Sequence, residues 1–451
     1  MSKGFPTTPG EGLQSKAKID EDAIRLHAFY RGKIETTLKC RMRGWDDFAI
    51  WYTPGVAAPR LDIKANPSKV YEYTGKWNRV AVVSDGTRVL GMGDIGPEAG
   101  LPVMEGKCLL FKYLGGVDAV PITLDTKDPE LIIQAVKLIQ PAFGGINRED
   151  ISHPKCFGIL SRLREEAKIP IFHDDQQGTA TVTLAGLLNA LKVAGKKIGE
   201  VRIAFIGSGA ANVATARLVF GAGARSGRCC MVDSKGILHT GREDIKNRSA
   251  EFEDKWRLCR ETNAEGRRGG IREALAGADV FISMSKSDPE TIQSDWVARM
   301  SKDAIVFALA NPLPEIWPWK AKEAGARVIA TGRSDFPNQV NNSMGFPAIF
   351  RGTLDVRAKT ITDEMCVAAA NALAERAEEL GLDDEHILPT MDDREAFLRE
   401  AVAVGVKAQE QGVAGLEMSR AALYENASDM IQRPQEETAC LGRNGFIKEI
   451  D

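Results

Sequence analysis

The sequence predicts an α/β protein in which a mixed α/β N-terminal domain precedes a doubly wound parallel sheet, with C-terminal helices completing the chain. Three observations predict it. Short apolar runs alternate with helical stretches from Val80 to Ala330, as parallel strands covered by helices require. One of these runs, VRIAFIGSGAANVATARLVF from Val201, passes from an apolar strand through a Gly207-Ser208-Gly209 turn into a small-residue helix. From Thr362 onward the spacing is helical. A chain of 451 residues is long for one core, and the expected divisions are 1–175, 176–341 and 342–451.

Residues 1 to about 18 are rich in Gly, Pro, Ser and Lys and read as a loose arm, followed by a short helix with Asp20 as its cap and Ile24, Leu26 and Phe29 on its apolar side. Trp51 and Tyr52 then run into a Thr53-Pro54-Gly55 turn. A tyrosine there either packs beside the turn or presents a phenol free to donate a proton. The segments AVVSDG, RVLGMGDIG and AVPITLD read as short strands separated by glycine-rich turns, and Lys107 lies between the last two. As a surface residue it is a solvated charge. Beside a divalent cation and shielded from water, its ammonium is disfavoured, its pKa falls and it becomes a candidate base. Arg88 follows the Gly86-Thr87 turn and can clamp a carboxylate bidentately or stay solvated. Ile132 to Ile139 reads as a helix stopped at Pro141.

The stretch IPIFHDDQQGTATVTLAGLLNAL carries two adjacent acids, Asp174 and Asp175, from a strand-like run to an amphipathic helix opening at Gly178-Thr179. At this junction they are expected to face outward. They can simply cap the helix. A second acidic pair, Glu149-Asp150 in FGGINREDI, follows a turn marked by Gly144-Gly145, and two such pairs converging would suit Mg²⁺ or Mn²⁺, which prefer carboxylate oxygens and keep open positions for a substrate.

The Gly207 segment opens a Rossmann-like, dinucleotide-binding βαβ unit, with Gly207, Ser208, Gly209, Ala210, Ala211 and Asn212 as its cofactor-binding turn. Asn212 stands where the third glycine of the pattern falls. The next strand, Arg228 to Val232, ends at Asp233, the position from which an acid binds the adenine ribose hydroxyls and repels a 2'-phosphate. Ser234, Lys235 and Arg242 can accept such a phosphate, so NAD and NADP both stay open. Strands follow at Asp279–Ser283, Ala304–Leu309 and Arg327–Ala330. Asn311 after the second, with Asn341 and Asn342 in a later loop, sits where cofactor amide or substrate hydroxyls bind, although asparagine also serves turns. Helices are expected from Thr362 to Leu380 and from about Asp393 to Gln411. The polar stretch beyond Arg433 carries no signal.

The net charge of −3 and the lack of a dense Lys/Arg tract argue against a nucleic-acid surface. No signal-peptide core and no stretch of membrane-spanning length is present, which places the protein in the cytoplasm and off the membrane. The 8 cysteines are scattered without CxxC pairs and read as reduced, mostly buried thiols.

Taken together, these stretches resemble the malic enzymes, particularly the compact bacterial type. The resemblance is carried by YTPGVA at Tyr52, VLGMGDIGPEAGLPVMEGK ending at Lys107, GGVDAVPITLD, FGGINREDI, FHDDQQGTA, IGSGAAN, ALANPLPE, ATGRSDFPNQVNN and FPAIFRGTLDVRA, spanning roughly Arg25 to Ile361. It implies oxidative decarboxylation of L-malate to pyruvate and CO2 with NAD or NADP and Mg²⁺ or Mn²⁺, in a homodimer. It makes Glu149, Asp150 and Asp175 the metal ligands, Lys107 the base with Asp174 as its alternative, and Tyr52 the acid. Arg88 and Asn341 become malate contacts, and Asn311 and Asn342 contacts near the nicotinamide. A malolactic enzyme and a dinucleotide-sensing regulator are the rival readings.

Overall fold

The computed structural model describes residues 8–89 and 92–450. Two parallel sheets organise it. The first contains β1 (Arg79–Ser84), β2 (Asp118–Thr123), β3 (Gly145–Arg148) and β4 (Ile171–His173) in the order β2-β1-β3-β4. All its pairings are parallel, with Val80 opposite Gly145 and Arg148 opposite His173. The second contains β5 (Ile203–Ile206), β6 (Cys230–Asp233), β7 (Gly236–Ile237), β8 (Val280–Ser283), β9 (Ala304–Ala308) and β10 (Ala326–Thr331) in the order β10-β9-β8-β5-β6-β7. The two-residue β7 is antiparallel and closes one edge. Strands such as β5 and β9 are buried along their whole length, which is why they read as unbroken apolar runs rather than alternating ones.

Both sheets present their carboxyl ends to one crevice. In the second sheet the chain leaves β5 for β6 on one side and places β8 on the other, and at such a switch point the loops diverge to leave room for a ligand. The helix Thr179–Val193 is buried on nearly all sides instead of amphipathic, because it packs against both the helix Ala210–Gly221 and the helix Asp363–Leu380. Its buried hydroxyls are satisfied locally, Thr181 donating to the Gln177 carbonyl and Thr183 to that of Thr179, both at 2.7 Å.

The C-terminal helices Phe346–Asp355, Asp363–Leu380, Arg394–Glu410 and Arg420–Arg443 form a layer over the helix Pro97–Gly115 and the neighbouring helices. Phe346 and Phe350 meet Phe111 at ring-centroid distances of 4.6 and 5.2 Å. A buried polar bridge joins the same layers. Arg351 donates to Asp355 Oδ1 at 2.8 Å and to Asn78 Oδ1 at 2.6 Å, and Asn78 in turn donates to the Gly116 carbonyl at 2.9 Å. Deleting one partner of such a buried ion pair costs ~3–5 kcal/mol because it strands the other charge.

Several expectations are corrected. The first helix runs from Pro9 to Tyr30, so residues 9–18 are helical and Asp20 lies inside the helix instead of capping it; residues 1–7 of the expected arm lie outside the described residues. RVLGMGDIG is a turn with one Val89–Gly93 bridge, not a strand, and its Leu90 and Gly91 lie outside the described residues. Gly144-Gly145 is not a turn: Gly145 begins β3, and the acids follow at that strand's carboxyl end. The helix Pro97–Gly115 carries Lys107. Pro97 occupies its first turn, and it ends at Gly116, whose φ of +63° puts it in the left-handed region that closes helices. The stretch beyond Arg433 continues a helix to Arg443.

Candidate active site

The strand ends bring the acids together. Glu149 continues the β3 ladder, its N–H donating to the Val83 carbonyl at 2.9 Å. Asp150 then turns with φ +55°, an uncommon conformation for a residue with a Cβ. Its N–H donates to Asp175 Oδ2 at 2.8 Å and its carbonyl accepts from Arg88 N–H at 3.0 Å. That strained turn ties β3, β4 and the Arg88 loop into one corner. Between β4 and the following helix, Asp174–Gly178 forms a π-helical turn that swings Asp174 inward. Asp174 is fully buried, which reverses the outward orientation expected from the sequence, whereas Asp175 is partly exposed and lines the cavity described below.

Glu149, Asp150 and Asp175 each offer a carboxylate oxygen within 4.8 Å of the others. Opposite them, Lys107 Nζ lies 3.2 Å from Glu149 Oε1 and 3.1 Å from Asn342 Oδ1, donates to the Asp174 carboxylate, and sits 4.6 Å from the centre of the Phe346 ring. Four carboxylates therefore crowd around one lysine. Burial, then repulsion from Asp175, raises the Asp150 carboxyl to about 8; burial, then Asp174, raises Asp175 to about 6. Glu149 is pushed well above its ordinary range, mainly by burial. For Lys107, burial pulls the ammonium down, but Asp174 and Glu149 outweigh it and hold it above the ordinary lysine range. The depression expected from the sequence is that of a lysine beside a divalent cation, and the lysine becomes a base only when those carboxylates are neutralised. Asp150 Oδ2 is buried without a hydrogen-bond partner. A divalent cation on Glu149, Asp150 and Asp175 answers both the excess charge and the orphaned oxygen, so the donor set fits Mg²⁺ or Mn²⁺.

The acids open into a cavity of about 780 Å³ between the two sheets. Arg88, Lys107, Glu149, Asp150 and Asp175 line one end. Gly207, Ser208, Gly209, Ala210 and Ala211 line the other, followed by Asp233; Asn311, Asn341 and Asn342 close the wall between. Gly207 has φ +97°, and a Cβ there would stand 2.8 Å from the Met284 carbonyl, so only glycine lets β5 and β8 approach; Gly209 caps the next helix with open space before it. This cradle fits a pyrophosphate.

Three expected site residues do not line the cavity. Asp174 lies behind Lys107. Asn212 faces the strand below, donating to the Ile206 and Gly207 carbonyls at 2.7 and 3.0 Å, and so holds the glycine turn from beneath. Tyr52 follows the short helix Asp47–Trp51, is 71% exposed and stands outside its own chain's cavity. Two residues escaped the sequence reading. Glu315, fully buried, accepts from Ser283 Oγ at 2.7 Å, Ser285 N–H at 2.8 Å and Ala310 N–H at 3.1 Å, binding the loops after β8 and β9 that line the cavity. Its place in ALANPLPE, just after the Asn311-Pro312 turn, was the available signal. Lys255 lines the cavity beside Asp233 from the helix Glu253–Glu261, whose charged sequence carried none.

Known proteins resemble the chain in sequence and fold. Family models for the malic enzyme N-terminal domain and the malic enzyme NAD-binding domain match residues 31–164 and 176–410. A bifunctional malic/malolactic enzyme of Bacillus subtilis is 48% identical over 400 residues, 88% of this chain and 94% of that protein. An NAD-dependent malic enzyme of Geobacillus stearothermophilus is 49% identical over 385 residues, 85% of this chain and 78% of the other. The crystal structure of the Entamoeba histolytica malic enzyme superposes with a TM-score of 0.96 at 47% identity, covering 99% of this chain and 94% of that one. With the strand-end acids, Lys107 and the glycine cradle meeting in one cavity across both matched domains, the chain belongs to the malic enzyme family.

Proposed function

We propose that this cavity carries out the oxidative decarboxylation of L-malate to pyruvate and CO2, reducing NAD or NADP. One observation carries the reading: the acid cluster with its lysine and the dinucleotide cradle line the same cavity. Glu149, Asp150 and Asp175 would hold Mg²⁺ or Mn²⁺, and Gly207 to Ala211 the dinucleotide. When bound, the ion supplies Lewis acidity toward the malate 2-oxygen and the nicotinamide supplies the hydride acceptor.

The chain's own residues do the rest. Arg88 grips a malate carboxylate, and Asn341 fixes the substrate against Asn311 and Asn342 on the nicotinamide side. Lys107 takes the proton of the 2-hydroxyl as hydride leaves C2, and Asp174 beside it orients the amine. After CO2 departs, Tyr52 protonates C3 of the enol to give pyruvate. Because Tyr52 stands outside its own chain's cavity, this role calls for a second copy, and a homodimer supplies it. Trp45, Phe48 and Trp51, each at least half exposed around Tyr52, give that dimer an apolar surface to bury. Among the described residues no helix is long and apolar enough to cross a membrane, and all eight cysteines are free thiols, which suits the cytoplasm.

The test is one assay of malate with NAD and with NADP, with and without Mn²⁺, following reduced cofactor, pyruvate and lactate together. Metal-dependent pyruvate with stoichiometric free reduced cofactor is expected. Lactate without free reduced cofactor would establish the malolactic outcome, to which the Bacillus subtilis relative's name also points. No turnover under any condition overturns the reading.

A further inference from the structure

Arg88 is exposed at one end of the cavity, and among the described residues its guanidinium makes no hydrogen bond. Its aim is therefore set by the turn that carries it. That turn is fastened from behind by Asp85, whose side chain is fully buried. Asp85 Oδ1 accepts from Thr87 N–H at 3.1 Å and from Thr87 Oγ1 at 2.6 Å, and Thr87 Oγ1 in turn accepts from Ser152 N–H at 3.0 Å. Asp85 Oδ2 accepts from Lys155 Nζ, the one cation paired with it among the described residues. Lys155 opens the helix Lys155–Glu166 and also donates to the Lys127 carbonyl at 3.2 Å. It does not line the cavity.

We propose that Lys155 is a positioning residue for malate: by pairing with Asp85 beneath the turn, it holds the Arg88 guanidinium where a malate carboxylate is gripped. The proposal rests on the malate reading above. A buried carboxylate that loses its ion-pair partner must draw in water or another donor. Either rearrangement competes with its bonds to Thr87, the residue next to Arg88, and so slackens the aim of the guanidinium. A forked guanidinium recognises a carboxylate through two parallel hydrogen bonds, a geometry that tolerates little displacement. Lys107 and the dinucleotide cradle are carried by other elements, so the loss falls on malate binding.

Steady-state kinetics with malate compares wild type, Lys155→Met, Lys155→Gln, Lys155→Arg, Arg88→Ala and the double variant of Arg88→Ala with Lys155→Met. AMP affinity, measured calorimetrically, identifies the variants that fold. Lys155→Met and Lys155→Gln should raise KM for malate about tenfold or more, the range expected for one charge-assisted contact, with the change in kcat below about threefold. Lys155→Arg should recover most of the loss. On top of Arg88→Ala, Lys155→Met should add less than about twofold, because the two side chains act as one. An unchanged KM in whichever of Lys155→Met and Lys155→Gln folds, a loss confined to kcat, or an effect that adds in full to Arg88→Ala overturns the proposal and leaves malate turnover standing. Failure of both to fold assigns the Asp85 pair to stability and overturns it too. Arg88→Ala without effect on KM removes the role of Arg88 as well, and an inactive wild type overturns the malate reading beneath both.

Discussion

At the carboxyl ends of the first sheet, Glu149, Asp150, Asp174 and Asp175 share Lys107, whereas at the far end of the same cavity Asp233 is ringed by four donors. Burial pushes carboxyls up in both places. For Asp233 the hydrogen bonds from Arg242 and Lys235 prevail and hold it below the usual carboxylate range, while Asp150 and Asp175 stay raised. The difference separates two uses of a buried acid. Asp233 arrives already compensated and shapes a wall. The β3 and β4 acids are left in deficit, and a deficit of positive charge in a cavity is what binds a cation there.

Removing the cation from the deficient end is the harshest test of that contrast. Lys107→Ala should lower kcat by ~10²- to 10⁴-fold, the usual worth of a general base, while AMP affinity at the other end stays within error. Near-native turnover would show that the lysine only balances charge. The contrast also predicts which deficit a second chain fills. Tyr52→Phe and Lys107→Ala, each nearly inactive alone, should regain about one quarter of wild-type activity when coexpressed in equal amounts, because half of the dimers are then mixed and each carries one intact site. A mixture no better than its parents would place Tyr52's work in its own chain, or remove it from the reaction.

How far the sequence could foresee this follows from the same physics. Asp174 and Asp175 were legible because Ile169–Phe172 is a short apolar segment halted abruptly by charge, Glu149 and Asp150 only as a second acidic pair behind two glycines, and the glycine turn because backbone crowding at Gly207 demands one residue type. The helix Pro97–Gly115 was not, since its two prolines and three glycines mask a helix that proline tolerates in its first turns and that Phe111 and Met104 stabilise by long-range packing. Lys255 was invisible for a different reason: it lies 22 residues from Asp233 in sequence, and only the fold sets their separation at 3.3 Å. The outward orientation expected of Asp174 failed because a π-helical turn, which has no pattern in DDQQG, decides where it points.

Glu400 sharpens the contrast from outside the cavity. It lies on the helix Arg394–Glu410, fully buried, with neither carboxylate oxygen hydrogen-bonded, and burial alone pushes its carboxyl well above the ordinary range. Like the β3 and β4 acids it is uncompensated, but it lies away from the cavity that holds them. It therefore enters the folded state protonated. As pH rises past the ordinary glutamate value near 4.5, the unfolded chain releases this proton first, so the folded state binds more protons and stability falls with pH until the raised folded value is passed. Glu400→Met removes that dependence and keeps the volume. It should raise stability at neutral pH by ~1–3 kcal/mol, the cost of an unsatisfied buried polar group, and the gain should shrink toward pH 4 as both states protonate. Thermal unfolding of the two proteins across that range measures it. Parallel profiles would mean that Glu400 has a partner in solution and that burial without compensation is confined to the active site.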